Sequence, residues 1–445
     1  MRLTGEFPSS RNRLCMAVLG VFIIFFSGCA FTKTTISPPI APIAVHHESE
    51  IERNRFAVAT GEDIIGRQAA LRLEQDDMLP DIARHFGIGT NAIAAANPKV
   101  DMWVPKAGEL VLLPLSFILP DAPRKGIVVN LASLRLFYYK SDGETLLVTT
   151  YPVGVGTTER PTPMGQMHVA NKMFRPPWRV PLSIAEDRKK KGEILPPVVP
   201  PGPDNPLGEH ALYLSKWTYL IHGTNKPASV GLTATNGCLR LFPENIKTLF
   251  DETPLKTPVL IVDQPYLLGQ KNGVPHLEAH AVAKEARDRE TKTLHKKLKN
   301  LEKKTGLPID WEKVEQVQAQ ARGIPVPILR LNPENKTDPE NLMEIRHPEA
   351  LHGKPEIPAL KSPAWYILVG EAPDKIEAQR LAAVVNHQGP PIPARVFEKN
   401  NSYRVIAGPF NDEGETRKAE KRLKVDLEIE GAVIEPVANE LFDIK

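Results

Sequence analysis

One cysteine lies in a turn of small residues near the middle of the chain, within the sequence TATNGCLRL that runs from residue 233 to residue 241. A thiol such as that of Cys238 becomes a useful nucleophile only when its pKa falls or a base takes its proton. The best candidate base is His222, which ends the apolar segment ALYLSKWTYLIH. A histidine at a strand end and a cysteine in the following turn can meet in space across this spacing. The two residues therefore predict a cysteine nucleophile with a histidine base.

The neighbours of Cys238 fit the same chemistry. Asn236 and Gly237 allow a tight backbone turn and can aim amide groups at a developing oxyanion. Arg240 can pair with a substrate carboxylate. Each residue taken singly has a structural alternative: Cys238 as an inert buried thiol, His222 as a core histidine, and Arg240 as an ion-pair partner that stabilises the fold. Only the combination favours catalysis.

Charge and histidine placement exclude several other functions. The other histidines do not form a cluster with cysteine at metal-ligand spacing, so neither a metal site nor a cofactor is expected. The formal net charge is only +3 over 445 residues, and the basic residues do not gather into one long block. A nucleic acid is therefore not expected as a partner.

The N-terminus has the pattern of an export signal. Three arginines precede the apolar segment LCMAVLGVFIIFF, which is shorter than the ~20 residues that span a bilayer. Small residues then precede Cys29, and the arrangement resembles a bacterial lipoprotein signal. The resemblance implies that residues 1–28 are removed as a signal peptide and that Cys29 becomes the diacylated first residue. Phe26 stands where that family usually has leucine, so an ordinary cleaved signal and an uncleaved anchor stay open as alternatives.

The lipoprotein interpretation sets the expected location. Cys15 would leave with the signal and Cys29 would carry lipid, so Cys238 would be the remaining thiol in an oxidising compartment, where cysteines usually pair. Ala30 lacks the aspartate that commonly retains lipoproteins in the inner membrane. The expected location is the periplasm, with a lipid anchor in the outer membrane more than in the inner one. Residues 29–68 are polar and bear prolines, which predicts a tether.

A chain of 445 residues is expected to contain several domains, and the first is predicted over residues 69–115. The pattern there is a strand, two short helices and a closing strand. The elements DIARHFGI, AANP and GELVLLP occur in an order that resembles a LysM module. The resemblance implies a βααβ unit that binds the N-acetylglucosamine chains of peptidoglycan. A small packing domain without sugar affinity is the alternative.

Strand-like sequence dominates residues 126–265, interrupted by the proline-rich segment KKKGEILPPVVPPGPDNPLGEH, which predicts a long surface loop and a candidate lid or substrate wall. The segment IHGTNKPASVGLTATNGCLRL resembles the signature of the L,D-transpeptidase catalytic domain, the ErfK/YkuD family. The matching residues are His222, Gly223, Thr224, Thr235, Asn236, Gly237, Cys238, Leu239 and Arg240. The resemblance implies a mainly-β, sandwich-like domain. Asn236 stands where many members have histidine, which leaves His222 as the base.

The same resemblance implies a reaction. The Cys238 thiolate attacks the carbonyl of the third residue of a peptidoglycan tetrapeptide, expels D-alanine and forms a thioester. His222 accepts the thiol proton and returns it to the departing amine, with its ring oriented by the Gly223 carbonyl. An amine from another stem peptide, or a lysine of an acceptor lipoprotein, then resolves the thioester. Two alternatives stay open: an L,D-carboxypeptidase or hydrolase with the same thiol, and a non-catalytic peptidoglycan-binding lipoprotein.

The region after the catalytic domain is predicted to be a helical extension over residues 266–323 followed by a proline-rich linker over residues 324–362. Within the extension, residues 276–304 carry dense alternating charge with leucines at helical spacing, at Leu294, Leu298 and Leu301. This pattern predicts one solvated helix that packs a single leucine stripe on its neighbour.

The C-terminal region, residues 363–438, has the predicted order βαββαβ. This order and the segment YRVIAGPF resemble a SPOR domain with a ferredoxin-like fold, which implies binding to peptidoglycan strands stripped of stem peptides. The predicted fold class is therefore multidomain α+β. Three separate segments point to one polymer, so the expected partners are peptidoglycan stem peptides and glycan strands, together with a membrane through the lipid anchor.

Overall fold

The structure, a computed structural model, describes residues 45–216, 218–330, 342–399 and 402–436. All of these residues belong to one compact unit that begins at Ala44. The predicted signal peptide, the lipidation site Cys29 and the first part of the predicted tether lie outside the described residues. Within the described ranges, no helix combines the length and hydropathy needed to cross a bilayer.

The strands before the predicted catalytic region are β1 (Val45–His46), β2 (Arg55–Val58), β3 (Ile64–Gly66), β4 (Ala69–Arg72), β5 (Leu110–Leu113) and β6 (Ser116–Ile118). Those of the catalytic region are β7 (Gly126–Asn130), β8 (Arg135–Asp142), β9 (Thr145–Pro152), β10 (Val155–Gly156), β11 (Gly165–Phe174), β12 (Trp178–Arg179), β13 (Val198–Val199), β14 (His210–Leu214), β15 (Leu220–His222), β16 (Thr233–Thr235), β17 (Leu239–Arg240) and β18 (Pro258–Val262). The later strands are β19 (Tyr266–Lys271), β20 (Val274–Ala279), β21 (Val326–Pro327), β22 (Met343–Ile345), β23 (Trp365–Ala372), β24 (Ala394–Lys399), β25 (Ser402–Phe410) and β26 (Ala432–Ile434). The α-helices are α1 (Leu79–His85), α2 (Thr90–Ala96), α3 (Leu182–Lys190), α4 (Pro243–Glu252), α5 (Arg287–Thr305), α6 (Trp311–Gln320), α7 (Lys375–Asn386) and α8 (Glu413–Leu427).

Residues 69–113 form the strand, helix, helix, strand order predicted for the LysM-like segment. Strands β4 and β5 pair antiparallel, and α1 and α2 lie between them in sequence. Helix α1 begins with proline in its first turn, where its missing amide costs nothing, and Gly87 follows the helix with a positive φ of 65°. The apolar face expected from the sequence is buried, as Leu79, Ile82 and Phe86 show.

The predicted tether over residues 29–68 is corrected from Val45 onward, because that part of the chain contributes strands to three sheets. Strand β2 pairs antiparallel with β9 at the edge of the catalytic sheet, and Phe56 is buried in the core there. Strand β3 pairs with β6. A short strand is stabilised mainly by the partner it finds at a sheet edge, and the local sequence carries little signal of that partner.

The catalytic region contains a nine-stranded mixed sheet in the order β17-β15-β14-β11-β18-β7-β8-β9-β2. Strand β11 joins its two halves, because its first residues pair with β18 and its later residues pair with β14. Side chains from both halves meet in one core that includes Leu136, Val169, Leu212, Ile221 and Leu239. The predicted mainly-β domain is therefore built from mixed sheets that pack on a shared core.

The predicted helical extension begins differently from expectation. Residues 266–279 form the antiparallel hairpin of β19 and β20, and the helix begins only at Arg287. Asn272 and Gly273 both have positive φ at the hairpin turn, a pairing typical of two-residue hairpin loops. This turn signal outweighs the charge pattern that predicted helix from residue 276, so His276 lies in a strand. The leucine stripe is correct, since Leu294 and Leu298 are buried.

The predicted linker over residues 324–362 is also corrected, because it contributes β22 to the sheet of the LysM-like segment. Strand β22 pairs parallel with β4 on one side and with β1 on the other, so this sheet has the order β1-β22-β4-β5. Met343 and Ile345 are buried in the same core as Leu71. Three residues between prolines are too few for a periodic signal, which explains why the sequence did not reveal them.

Residues 365–434 form the predicted βαββαβ order, with a four-stranded antiparallel sheet in the order β24-β25-β23-β26. This is the ferredoxin-like arrangement, in which the first and third strands of the fold lie at the centre. Asp374 and Asp412 cap α7 and α8 by accepting hydrogen bonds from the amides of Glu377 and Glu415. Both helices pack on one core with the sheet.

Candidate active site

The strand β15 carries His222 into the interior of the catalytic region. It pairs antiparallel with β14 and parallel with β17, in a register that puts Ile221 opposite Leu239 and His222 opposite Arg240. Ile221 and Leu239 point into the core, so strand alternation turns His222 and Arg240 to the other face. Cys238 precedes Arg240 by two positions and shares that face. The register therefore sets His222 beside Arg240, and the Arg240 charge acts on both His222 and Cys238.

The imidazole of His222 is buried, with only 3% of the residue exposed. Its Nδ1 lies 2.6 Å from the carbonyl oxygen of Gly223, which can only accept, so Nδ1 donates. In the neutral ring this leaves Nε2 as the acceptor. Burial lowers the pKa of His222 to about 3, and the Arg240 charge adds to the effect, while the Gly223 and Leu207 carbonyls oppose it. The ring is neutral near pH 7 and can receive a proton.

The thiol of Cys238 is half-buried, and its Sγ donates to the carbonyl oxygen of Thr218 over 3.7 Å. Burial raises the pKa of Cys238, while a hydrogen bond from the Leu220 backbone and the positive charge of Arg240 act in the opposite direction. The sulfur is therefore protonated near pH 7 and needs a base when it reacts. The hydrogen bond of the thiol is made to a backbone carbonyl, which does not act as the base. A hydrogen bond to the base can form later, because catalytic hydrogen bonds often form fully only when substrate is bound.

The turn before the sulfur is held by Thr235, which is buried at the end of β16. Its Oγ1 accepts from the Gly237 amide over 3.1 Å and donates to the Cys238 carbonyl over 2.7 Å. Gly237 has a φ of 103°, and a Cβ there would lie 2.8 Å from Cε1 of Tyr219. A glycine is required at this point for both reasons. We call residues 235–238 the nucleophile turn.

Arg240 carries a positive charge that acts on both the base and the sulfur. Its Nη1 donates to Oγ of Ser229 over 2.7 Å, and its backbone exchanges two hydrogen bonds with Gly154. Burial lowers the pKa of Arg240 to about 10, and Cys238 acts in the opposite direction. The Nε atom of Arg240 is buried and has no hydrogen-bond partner among the described residues. The side chain therefore keeps donor capacity beyond its contact with Ser229.

Three residues at this site were not predicted from the sequence: Arg160, Thr218 and Ser229. Arg160 donates from Nη1 to Oδ1 of Asn236, 76 positions away in the chain, over 2.5 Å. The local sequence does not predict such a contact, because the contact depends on the packing of two separate turns. Asn236 itself is exposed beside Gly237. Within the described ranges, no group of three or more His, Cys, Asp or Glu side chains is placed to hold a metal ion.

Two parts of the chain match known domain families. Residues 124–261 match YkuD, the L,D-transpeptidase catalytic domain. Residues 361–435 match the SPOR domain. The first match contains His222, Cys238 and Arg240, and the second contains the strands and helices from β23 to β26.

Several curated proteins are similar over a longer part of the chain. The Escherichia coli K12 protein named "Probable L,D-transpeptidase YcfS" is 36% identical over 280 residues, which is 61% of this chain and 86% of that protein. The protein of the same organism named "Probable L,D-transpeptidase ErfK/SrfK" is 38% identical over 224 residues, which is 49% of this chain and 71% of that protein. The solved catalytic domain of the Enterococcus faecium L,D-transpeptidase is 22% identical and covers 32% of this chain and 99% of that one, with a TM-score of 0.24, too low to add to the fold described above.

Proposed function

The chain belongs to the L,D-transpeptidase family and carries a SPOR domain, and from this premise we propose that it acts on peptidoglycan stem peptides through an acyl-enzyme formed on Cys238. The observation that carries the proposal is the register of β15 and β17. It supports the proposal because a buried, neutral imidazole lies opposite Arg240, whose charge acts on both that imidazole and the Cys238 thiol. Such a group of side chains suits acyl transfer, in which a base must take a thiol proton and later return it.

In the first half of the proposed reaction, Sγ of Cys238 attacks the carbonyl carbon of the third residue of a tetrapeptide stem. The sulfur proton passes to Nε2 of His222, and the S–C bond forms. The C–N bond to the terminal D-alanine then breaks, and its amine leaves with the proton from His222. The Gly223 carbonyl holds Nδ1 of the ring throughout, so the same nitrogen faces the transferred proton in both directions.

In the second half, an amine attacks the thioester carbon and gives a proton to His222. The new C–N bond forms, the C–S bond breaks, and the sulfur recovers its proton. Arg240 binds a substrate carboxylate through the donors that Ser229 leaves free, and the amide of Asn236 stabilises the oxyanion, since the Gly237 amide is already donated to Thr235. Thr235 holds the turn in place for both steps.

The flanking parts of the chain bring the enzyme to its polymer. The SPOR domain binds glycan strands, and the LysM-like segment of residues 69–115 is a second glycan-binding unit. The lipoprotein-like N-terminus anchors the chain in the periplasm by lipid on Cys29, more in the outer membrane than in the inner one. A Cys29→Ala chain that stays in the membrane fraction would contradict the anchor.

The decisive experiment on the catalytic proposal measures the intact mass of the protein after exposure to a carbapenem, a β-lactam that acylates an active thiol. We expect the wild-type chain to gain one lactam mass, with the adduct on the peptide that contains Cys238. Cys238→Ala should gain none, and His222→Gln should react at least tenfold more slowly because the base is lost. An unmodified wild-type protein would favour the non-catalytic scaffold.

The acceptor is tested on isolated peptidoglycan with mass spectrometry of the released muropeptides. Dimers linked between third-position residues support transfer to another stem peptide. Shortened monomers alone would mean that water resolves the thioester and that the enzyme is an L,D-carboxypeptidase. A stem peptide attached to the lysine of an added acceptor protein would instead identify a protein as the acceptor.

A further inference from the structure

A long loop lies beside the active site, and the helix that it contains is held to the rest of the protein by polar contacts. This proline-rich loop, residues 175–209, contains helix α3, and none of the nine residues of α3 is buried. Leu182 at its start is 82% exposed, and Ile194 just beyond it is 83% exposed. A helix without a buried apolar face gains little from packing, so its position depends on its ion pairs.

The first of these contacts joins the loop to the nucleophile turn. Nη2 of Arg160 lies 2.5 Å from Oδ2 of Asp187 on α3, while Nη1 of the same guanidinium donates to Oδ1 of Asn236 over 2.5 Å. The backbone before Arg160 is fixed to the same place, because the Thr157 amide donates to the Thr235 carbonyl over 3.0 Å. One arginine therefore connects α3 with the residue two positions before the sulfur.

The second contact joins the loop to the SPOR domain. Arg188, the residue after Asp187, lies 2.6 Å from Oδ1 of Asp426 on α8. Successive residues on a helix point about 100° apart, so Asp187 and Arg188 can face two different partners. The other oxygen of Asp426 accepts from Nζ of Lys226 over 2.7 Å. Asp426 thus lies between the loop and the segment that follows His222.

The segment after His222 touches the SPOR domain and the loop at a second point. Nδ2 of Asn225 donates to the carbonyl of Pro203 in the loop over 2.9 Å. On its other side, the backbone of Asn225 lies against Gly389 of the SPOR domain, where a Cβ on Gly389 would come within 1.6 Å of the Asn225 carbonyl oxygen. Lys418 on α8 also pairs with Asp204 of the loop. The loop, the base-bearing segment and the SPOR domain meet at one junction.

The charges at this junction are matched. Burial alone would raise the pKa of Asp426, but Lys226 and Arg188 outweigh it and hold that pKa below the ordinary value. Burial lowers the pKa of Lys226, and Asp426 opposes the change. The aspartate is only 12% exposed, so solvent screens these pairs less than it screens ion pairs on an open surface. Loss of Asp426 would remove the ion-pair partner of Lys226 and leave Arg188 with Glu193 of the loop alone.

We propose that Arg160 is a positioning residue of the nucleophile turn, and that the SPOR domain, through Asp426, holds the loop that in turn holds Arg160. The inference rests on the proposed function in one respect, that Cys238 is the nucleophile. It makes the SPOR domain part of the active-site architecture in addition to any role in binding glycan. A β-lactam or stem peptide must approach the sulfur in a defined orientation, whereas a small alkylating agent need not.

The test compares two rate constants for modification of Cys238 in the full chain, one with a carbapenem and one with iodoacetamide. For the carbapenem we expect Arg160→Ala to be about tenfold slower and Asp426→Asn about threefold slower than wild type. Both variants should react with iodoacetamide within about twofold of wild type, which also shows that they are folded. Arg160→Lys should recover part of the loss, because an ammonium keeps the charge near Asp187 but cannot bind two partners in one plane.

The matched control is Glu430→Gln. Glu430 lies just after α8 and, like Asp426, carries one negative charge, but it pairs with Lys424 within the SPOR domain. The Glu430→Gln variant should be acylated by the carbapenem at the wild-type rate. If Arg160→Ala and Asp426→Asn also acylate at the wild-type rate or faster, the inference is wrong although the proposed function stands. A wild-type protein that does not acylate would instead remove the proposed function.

Hydrogen exchange separates the role of the SPOR domain from that of Arg160. Asp426→Asn should increase amide exchange in peptides of residues 182–199, since helix α3 loses its ion pair with α8 and keeps only the Lys191–Glu428 pair to the SPOR domain. Glu430→Gln should leave that exchange at the wild-type level. If exchange in residues 182–199 is the same in Asp426→Asn as in wild type, the SPOR domain does not hold the loop, and that half of the inference fails.

Discussion

Arg240 acts on both reacting side chains at once, with opposite results. Its positive charge lowers the pKa of Cys238, which favours the thiolate, and it also lowers the pKa of His222, which disfavours the imidazolium. Burial opposes charge on both groups. The resting pair is therefore a neutral thiol and a neutral imidazole, so in the proposed reaction the proton must move while the substrate carbonyl is attacked. A charged thiolate–imidazolium pair would be stable only if substrate changed this environment.

This resting state predicts the pH dependence of thiol modification. The rate of alkylation of Cys238 by iodoacetamide should rise through pH 9 and above, since burial holds the pKa of the thiol above its ordinary value of 9.0. No step is expected near pH 6.5, because His222 keeps its neutral form down to about pH 3. The measurement is the mass shift of the Cys238 peptide after timed reaction between pH 5 and 10. A plateau reached below pH 8 would contradict it.

Arg240→Gln provides the control for the electrostatic part of that prediction. Removal of the guanidinium takes away a charge that lowers the pKa of Cys238, so the alkylation profile should move to higher pH. A profile that moves to lower pH would mean that Arg240 does not act on the sulfur through its charge.

At the scale of elements, the nucleophile turn depends on its backbone shape. Strand β16 ends at Thr235 and strand β17 begins at Leu239, so three residues must reverse direction and present the sulfur. The Thr235 hydroxyl closes this turn by accepting a hydrogen bond from the Gly237 amide and donating one to the Cys238 carbonyl. The positive φ of Gly237 and its contact with Tyr219 leave no space for a side chain. The position of the sulfur thus depends on a residue that carries no chemistry itself.

We therefore predict that Gly237→Ala slows carbapenem acylation by about tenfold, through displacement of the turn. It should also lower the free energy of unfolding by about 1–3 kcal/mol, the cost of a strained φ. The measurements are intact-mass kinetics and urea unfolding. Gly143→Ala is the control, because Gly143 also has a positive φ, of 58°, but a Cβ there meets nothing within 4 Å. It should lose stability and keep the acylation rate; equal kinetics in both variants would contradict the role of the turn.

The sequence predicted the central part of this site and missed its surroundings for a physical reason. His222 and Arg240 lie on two adjacent strands and Cys238 lies in the turn just before the second, all close in sequence, so their types and spacing carry the information. The guanidinium of Arg160 reaches Asn236 only because two separate turns pack together. Such a contact is a product of tertiary structure and has no period or composition that a single sequence displays.

At the scale of the whole molecule, short strands from distant segments complete two of the sheets. The sequences of these strands do not predict that they are strands. The LysM-like sheet takes β22 from a segment predicted as linker, and Arg72 pairs with Glu344 across 272 positions. The catalytic sheet takes β2 from the predicted tether. The longer βαββαβ pattern of the SPOR domain was predicted because each of its elements carries its own periodicity. Elements of two to four residues have none.

The contribution of β22 is tested with Ile345→Ala. Ile345 is 1% exposed in the core of the LysM-like sheet, so we expect the free energy of unfolding of that region to fall by about 2–4 kcal/mol. Hydrogen exchange should rise in peptides from residues 69–113. Val45→Ala is the matched control, because Val45 lies in the same sheet but is largely exposed, and it should change stability by about 0.5 kcal/mol or less. Unchanged exchange in Ile345→Ala would mean that β22 adds nothing to the module.

The parallel pairing of β22 with β4 has a consequence for the order in which the protein is made. A ribosome releases a chain from its N-terminal side, so β4 emerges about 270 residues before the strand β22 that pairs with it. During that interval an edge of β4 stays open to wrong partners, while the whole catalytic region is synthesised between the two parts of one small sheet. The LysM-like sheet thus begins to emerge before the catalytic region and can be completed only after it.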